Sequence, residues 1–138
     1  MPYTLTYSST ASFVLSEHEV ETLLGRARAR NAADDVTGLL VYLRYGPARA
    51  GFVQVLEGER DAVEQTYARI QRDELHTDLT VSERAVTPRR RYAAWSMRFA
   101  RLDESDLREI LAESAVHAGN PLADPAAARR VLAAAEPD

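Results

Sequence analysis

The 138-residue chain contains no cysteine, which excludes disulfides, thiolate chemistry and zinc–sulfur sites. Lysine is absent too, because all 17 basic residues are arginine. A Schiff-base lysine and a phosphate-loop lysine are therefore excluded. No apolar run approaches the roughly 20 residues that a membrane-spanning helix requires, and no signal peptide is expected. No membrane association is expected, and the expected setting is the cytoplasm. The formal charge of −4 gives no general attraction to nucleic acid, so no nucleic-acid partner is expected. What is present, 46% apolar and 28% charged residues, suits a soluble globular fold with a sizeable core.

The stretch Phe52-Val53-Gln54-Val55-Leu56-Glu57-Gly58 reads as a strand ending in a tight step before a helix. Alternation puts Phe52, Gln54 and Leu56 on one face. Gln54 thus lies between two large apolar side chains on a covered face. Its amide needs partners there, since leaving them unmade costs about 1–3 kcal/mol.

Upstream, Tyr3 to Ser9 alternates as a half-buried strand with Tyr3, Leu5 and Tyr7 on its apolar face. Ser16 and Glu19 form a capping box for a helix running to about Arg30, whose apolar stripe of Val20, Leu23, Leu24 and Ala27 leads to Asn31. Val36 to Arg44 is nearly continuous in apolar residues and suits a central strand, with Gly38 allowing a close approach or marking a bulge. Tyr45 to Ala50 is a turn. Glu59 to Arg72 is a second helix, followed by Asp73 at a spacing that lets Arg69 and Asp73 touch.

His76 precedes a strand over Leu79 to Val86, and Trp95-Ser96-Met97-Arg98-Phe99 alternates as a last strand with Trp95, Met97 and Phe99 on its buried face. Asp103 to Asp106 suits a helix start ahead of Leu107, Ile110 and Leu111. Asp124-Pro125 opens another short helix, separated from the first by Gly119-Asn120-Pro121.

The order of elements predicts an α+β, ferredoxin-like sandwich: a five-stranded mixed sheet with two helices on one face and a C-terminal helical pair. Residues 1–100 form the main domain, and 101–138 an extension packed on it. A slot between the two helices would be lined by Asn31, Arg69 and Asp73. Its floor would carry Tyr7, Gln54, Trp95 and Met97. Amides, a guanidinium, a carboxylate and aromatics at one place suit a flat heteroaromatic ligand with several donors and acceptors. No metal-ligand spacing occurs around His76.

Tyr7-Ser8-Ser9, Asn31-Ala32-Ala33, Val36-Thr37-Gly38-Leu39-Leu40-Val41-Tyr42, Phe52 to Gly58, Arg69 to Asp73, His76 and Trp95-Ser96-Met97 resemble, in order and spacing, the serial motifs of BLUF domains, blue-light sensors that use FAD. The resemblance covers roughly residues 3–100 and implies a non-covalent flavin: FAD, with FMN or riboflavin possible. It implies that Tyr7 donates an electron and a proton, that Gln54 bridges Tyr7 to the flavin and reorganises, and that Trp95 and Met97 report the change. Ser9, Asn31, Arg69, Asp73 and His76 would join Tyr7 and Gln54 in holding the cofactor. Two positions depart from the usual pattern: Arg30 stands where an amide or His often precedes the Asn, and Leu75 stands where an Arg often precedes the His. The implied output is switching of a homo-oligomer or of a separate, unidentified downstream protein, without enzymatic turnover. Two alternatives are a flavin-binding assembly module without light sensing and an acylphosphatase-type hydrolase. The hydrolase would need an anion-binding, glycine-rich loop where Ser9-Thr10-Ala11-Ser12 stands.

Overall fold

The computed structural model describes residues 1–111, 122 and 124–135. The elements run β1 (Tyr3–Ala11), α1 (Glu17–Ala33), β2 (Thr37–Arg44), β3 (Ala50–Gly58), α2 (Arg60–Gln71), β4 (His76–Val86), β5 (Arg98–Leu102), α3 (Glu104–Ile110) and α4 (Pro125–Ala135). The predicted separator Gly119-Asn120-Pro121 lies outside the described residues.

The sheet order is β4-β1-β3-β2-β5. The pairs β1–β3, β1–β4 and β2–β3 are antiparallel, and β2–β5 is parallel, so the sheet is mixed as expected. The apolar run of β2 sits inside the sheet, between β3 and β5. Helix α1 starts at the predicted capping box: the Ser16 hydroxyl accepts the Glu19 N–H, and the Glu19 carboxylate accepts the Ser16 N–H. Helix α3 starts the same way on Asp103 and Asp106.

Alternation along the strands divides the core into two clusters. Tyr3, Leu5, Tyr7, Leu40, Phe52 and Leu56 face α1 and α2, where Val20, Leu24, Val63 and Tyr67 cover them. Leu39, Val41, Val53 and Val55 point the other way and are covered by Leu107, Leu111, Ala128, Val131 and Leu132. The C-terminal helices of the same chain therefore cover the second face. Ser8 also points there, and its hydroxyl donates to the Leu122 carbonyl at 2.7 Å.

Two strand boundaries differ from expectation. β4 begins at His76, three residues early, because the chain pairs back to Ala11 through two register shifts. One shift involves Asp78, at φ 50°. The last strand is β5, beginning at Arg98 opposite Leu39, and not Trp95–Phe99. Residues 91–97 form an irregular approach to it, with the Trp95 N–H bonded to the Tyr92 carbonyl.

Candidate functional site

Register places Tyr7 and Gln54 directly opposite each other across β1 and β3, and Gln54 also opposite Leu40 of β2. Side chains of such a pair leave the same face of the sheet, so the phenol and the amide meet at the centre of the layer beneath the helices. The Tyr7 hydroxyl donates to Gln54 Oε1. Gln54 Nε2 in turn reaches Met97 Sδ at 3.4 Å. A thioether is a weak acceptor, so this end of the amide is held less firmly than the end on Tyr7. Tyr7 is fully buried, with the Tyr67 ring 5.3 Å away and the His76 ring 6.1 Å away. Burial raises its pKa well above the ordinary tyrosine value, and Tyr67 and Asp73 add to the rise. Its hydroxyl is therefore a retained proton donor at neutral pH.

Above Gln54, α1 and α2 part to leave a cavity of about 500 Å³. Gln54 and Leu40 form its floor; Leu23, Ala27 and Asn31 line the α1 side; Thr66, Arg69 and Ile70 line the α2 side. Asp73, Leu75 and His76 close one end. Asn31 is buried, and its Nδ2 donates to the Ser96 carbonyl at 2.9 Å. Among the described residues no buried side-chain polar atom lacks a partner, so the Asn31 Oδ1, bonded to nothing in the protein, opens on the cavity. A ligand entering the slot thus meets apolar walls, one free amide oxygen and the Gln54 amide. That donor set and volume fit a planar polar heterocycle such as a flavin ring.

The decisive comparison is with families of known proteins. The sequence profile described as "Sensors of blue-light using FAD", BLUF, matches residues 3–98. The chain belongs to the BLUF family. Over 95 residues it is 37% identical to the photoactivated adenylate cyclase subunit beta of Euglena gracilis, an alignment covering 68% of this chain and 10% of that protein. This BLUF chain therefore spans about a tenth of the length of that curated relative. The dark-state structure of the BLUF protein BlrB matches with a TM-score of 0.68 at 25% identity, covering 96% of both chains. Klebsiella pneumoniae BlrP1 with FMN and cyclic diGMP matches with a TM-score of 0.62 at 31% identity, covering 80% of this chain and 27% of that one. The ferredoxin-like α+β architecture of this BLUF domain is thereby shared with solved members.

Within this BLUF domain, the expected site residues separate into three groups. Tyr7, Gln54 and Met97 form one continuous hydrogen-bonded line, with Met97 only 1% exposed. Ser9 and His76 form a second pair, Ser9 Oγ to His76 Nδ1 at 2.8 Å. Burial pushes the His76 imidazole down to about 4, against a smaller opposing pull from Asp73, so it is neutral at pH 7. Of this pair only His76 lines the cavity.

The third group departs from expectation. Trp95 does not lie on the buried face: it is 48% exposed on the approach to β5, with the Arg98 guanidinium 5.5 Å from its ring. Three residues of alternation cannot distinguish a strand from an extended loop, and here Met97 turns inward while Trp95 turns out. Arg69 does not hold Asp73. Its guanidinium bonds Asp34, the C-cap of α1, at 2.9 Å and the Thr66 hydroxyl at 3.2 Å. Asp73 Oδ1 instead accepts the Leu75 N–H at 3.0 Å, shaping the turn that carries His76. Both Arg69 and Asp73 still line the cavity.

Sequence reading missed Arg28, whose Nε donates to the Met97 carbonyl at 3.0 Å. The signal was present in principle: Arg28 stands three residues before Asn31, on the same side of the helix. Asp34 was missed because its partner is distant in sequence.

Proposed function

We propose that this chain is a blue-light photoreceptor that holds a flavin non-covalently between α1 and α2. The observation that carries the proposal is the Tyr7 hydroxyl bonded to Gln54 on the floor of that cavity. When bound, the flavin supplies absorption of blue light and a site that accepts an electron and a proton. Tyr7 is the donor of both, because it is the buried phenol next to the cavity floor. Asn31 orients the ring through its free Oδ1; Arg69, Asp73, Ser9 and His76 shape or support the slot.

Gln54 is the switching element. With Oε1 on Tyr7, its Nε2 faces Met97 Sδ. Exchange of the amide's two ends would aim Oε1 at the sulfur, placing acceptor against acceptor. Met97 then loses a donor and is pressed to move. Its main chain is tied to Arg28, that of Ser96 to Asn31, and β5 begins at the next residue, so displacement passes to the loop bearing Trp95 and to β5. The energies are small: a net hydrogen bond is worth roughly 0.5–1.5 kcal/mol, so the output element must already be nearly balanced. We infer that the output is an altered contact with a second copy of this chain or with a separate cytoplasmic partner, and that the chain performs no turnover of its own.

The test is an absorption spectrum of the purified protein before and after blue light. A yellow protein with a small, dark-reversible red shift supports the reading. Protein that takes up no added flavin overturns it, and a yellow protein without a shift reduces it to a flavin-binding module. Tyr7→Phe and Gln54→Leu should each abolish the shift while retaining the fold seen by circular dichroism. A normal photocycle in either variant would remove that residue from its role.

A further inference from the structure

Two cations at the cavity have no use in the mechanism above. Arg26 and Arg30 both line the slot from α1, and both are exposed at its rim. They stand one helical turn apart, which makes them surface neighbours. Like charges at that spacing disfavour the helix unless an anion sits between them.

Neither side chain makes an ion pair or hydrogen bond with the described residues, in contrast to the other arginines nearby. Arg28 is engaged by the Met97 carbonyl, and Arg69 by Asp34. The carboxylates that line the same cavity stand elsewhere. Glu19 is committed to the Ser16 N–H at the start of α1. It lies seven residues from Arg26, about 10 Å along the helix, close to a Debye length in physiological salt. Asp73 is committed to the Leu75 N–H. Glu74 stands in the turn between α2 and β4, where its carbonyl accepts the Ser12 hydroxyl. At the end of α1 the Asp34 carboxylate is taken by Arg69, which leaves the guanidinium groups of Arg26 and Arg30 unmatched among the described residues beside Asn31.

We infer that Arg26 and Arg30 form a phosphate clamp for the tail of the flavin, so that this slot selects phosphorylated flavins, FMN and FAD, over riboflavin. The inference rests on the flavin reading above. A ring held beside Asn31 leaves its side chain to exit between the helices. Paired guanidinium groups match the oxygens of a phosphate in charge and geometry. Arg30 then serves cofactor choice and not ring recognition.

The experiment compares riboflavin, FMN and FAD binding to the flavin-stripped 138-residue protein by quenching of flavin fluorescence. FMN and FAD should bind about ten- to a hundredfold more tightly than riboflavin at low salt. That preference should collapse toward unity near 0.5 M salt, where screening is short-ranged. In the double variant Arg26→Gln, Arg30→Gln the FMN-to-riboflavin ratio should also approach one. Circular dichroism should confirm the fold, since both side chains are exposed and Gln suits a helix. Equal affinities in the wild-type protein, or a preference that survives in the double variant, would overturn the clamp. Failure of all three flavins to bind would overturn the flavin reading and the clamp together, an outcome distinct from equal binding.

Discussion

The side-chain amide of Asn31 joins the cavity to the loop before β5: its Nδ2 donates to the Ser96 carbonyl at 2.9 Å while its Oδ1 opens on the slot. Arg28 does the same for the next carbonyl, that of Met97, at 3.0 Å. The Gly38 N–H takes the preceding one, that of Trp95, at 3.2 Å. Three consecutive carbonyls are thus held by α1 and β2. Asn31→Ala should loosen this loop and remove a polar contact from the slot. We expect flavin affinity to fall about tenfold, the effect of one hydrogen bond of ~1.4 kcal/mol. Emission from Trp95, the single tryptophan, should change in the same variant. Unchanged emission and affinity would show that Asn31 couples nothing.

Two of the six glycines make a contrasting pair. A Cβ on Gly38 would fall 1.9 Å from the Val55 carbonyl oxygen, a backbone atom that cannot swing aside. Gly38→Ala should therefore cost roughly 1–3 kcal/mol as an overpacked core site, and it also disturbs the strand beside Met97. Gly25, on the exposed side of α1, meets nothing within 4 Å. Gly25→Ala should stabilise the protein by about 0.5–1 kcal/mol through helix propensity. Urea midpoints of the two variants should move in opposite directions.

Period-two alternation made β1 and β3 legible and a nearly continuous apolar run made β2 legible, and with them the meeting of Tyr7 and Gln54, because register on a covered sheet is set by which residues must be buried. The capping box at Ser16 was legible because it is a pair of local hydrogen bonds, whereas at Asp103 only acids suited to a helix start were legible and the box with Asp106 is a finding of the structure. Trp95 was misplaced because its alternation with Met97 and Phe99 imitates a strand, whereas strand pairing starts only at Arg98. Arg69 was paired with Asp73 because spacing along a helix reveals only helical neighbours, and Asp34 reaches Arg69 through the packing of α1 against α2. Unmatched charge at the rim, on Arg26 and Arg30, is likewise visible only once every other partner has been placed.

His76 sets an acid-side limit on stability. Its pKa is about 4 in the folded protein against an ordinary 6.5, lowered by burial. The unfolded chain therefore takes up the proton first as pH falls. The contribution of neutral His76 is complete above pH 6.5, declines below it, and is lost once pH passes about 4. The full loss is roughly 3 kcal/mol, of which about 2 should appear between pH 7.5 and pH 5. Urea unfolding across that range should show it, and His76→Gln should flatten the slope there. The variant retains the loss at lower pH from Glu64, whose pKa is held down by Arg84 and Tyr3. An equal slope in the variant would assign the effect to another group.

Glu57 sits three residues from Gln54 on β3 but on the opposite face, and it holds the other end of the same loop. Its carboxylate is 2% exposed and accepts the Tyr92 N–H at 2.7 Å, the Arg91 N–H at 2.9 Å and the Thr37 hydroxyl at 2.9 Å. One strand therefore reaches both ends of the 91–97 segment: Glu57 fastens its start, and Gln54 touches its end at Met97. Removing the carboxylate leaves two main-chain N–H groups without acceptors in a closed site. Glu57→Ala should cost roughly 2–4 kcal/mol. Glu57→Gln should be milder but still destabilising, because one acceptor oxygen becomes a donor facing donors. Hydrogen exchange at the Arg91 and Tyr92 amides should accelerate in both variants. If the fastening is what lets a rearrangement at Gln54 move this loop as a unit, Glu57→Gln should retain the flavin red shift while reducing the light-induced change in Trp95 emission. A full change in Trp95 emission would show that Met97 alone carries the signal.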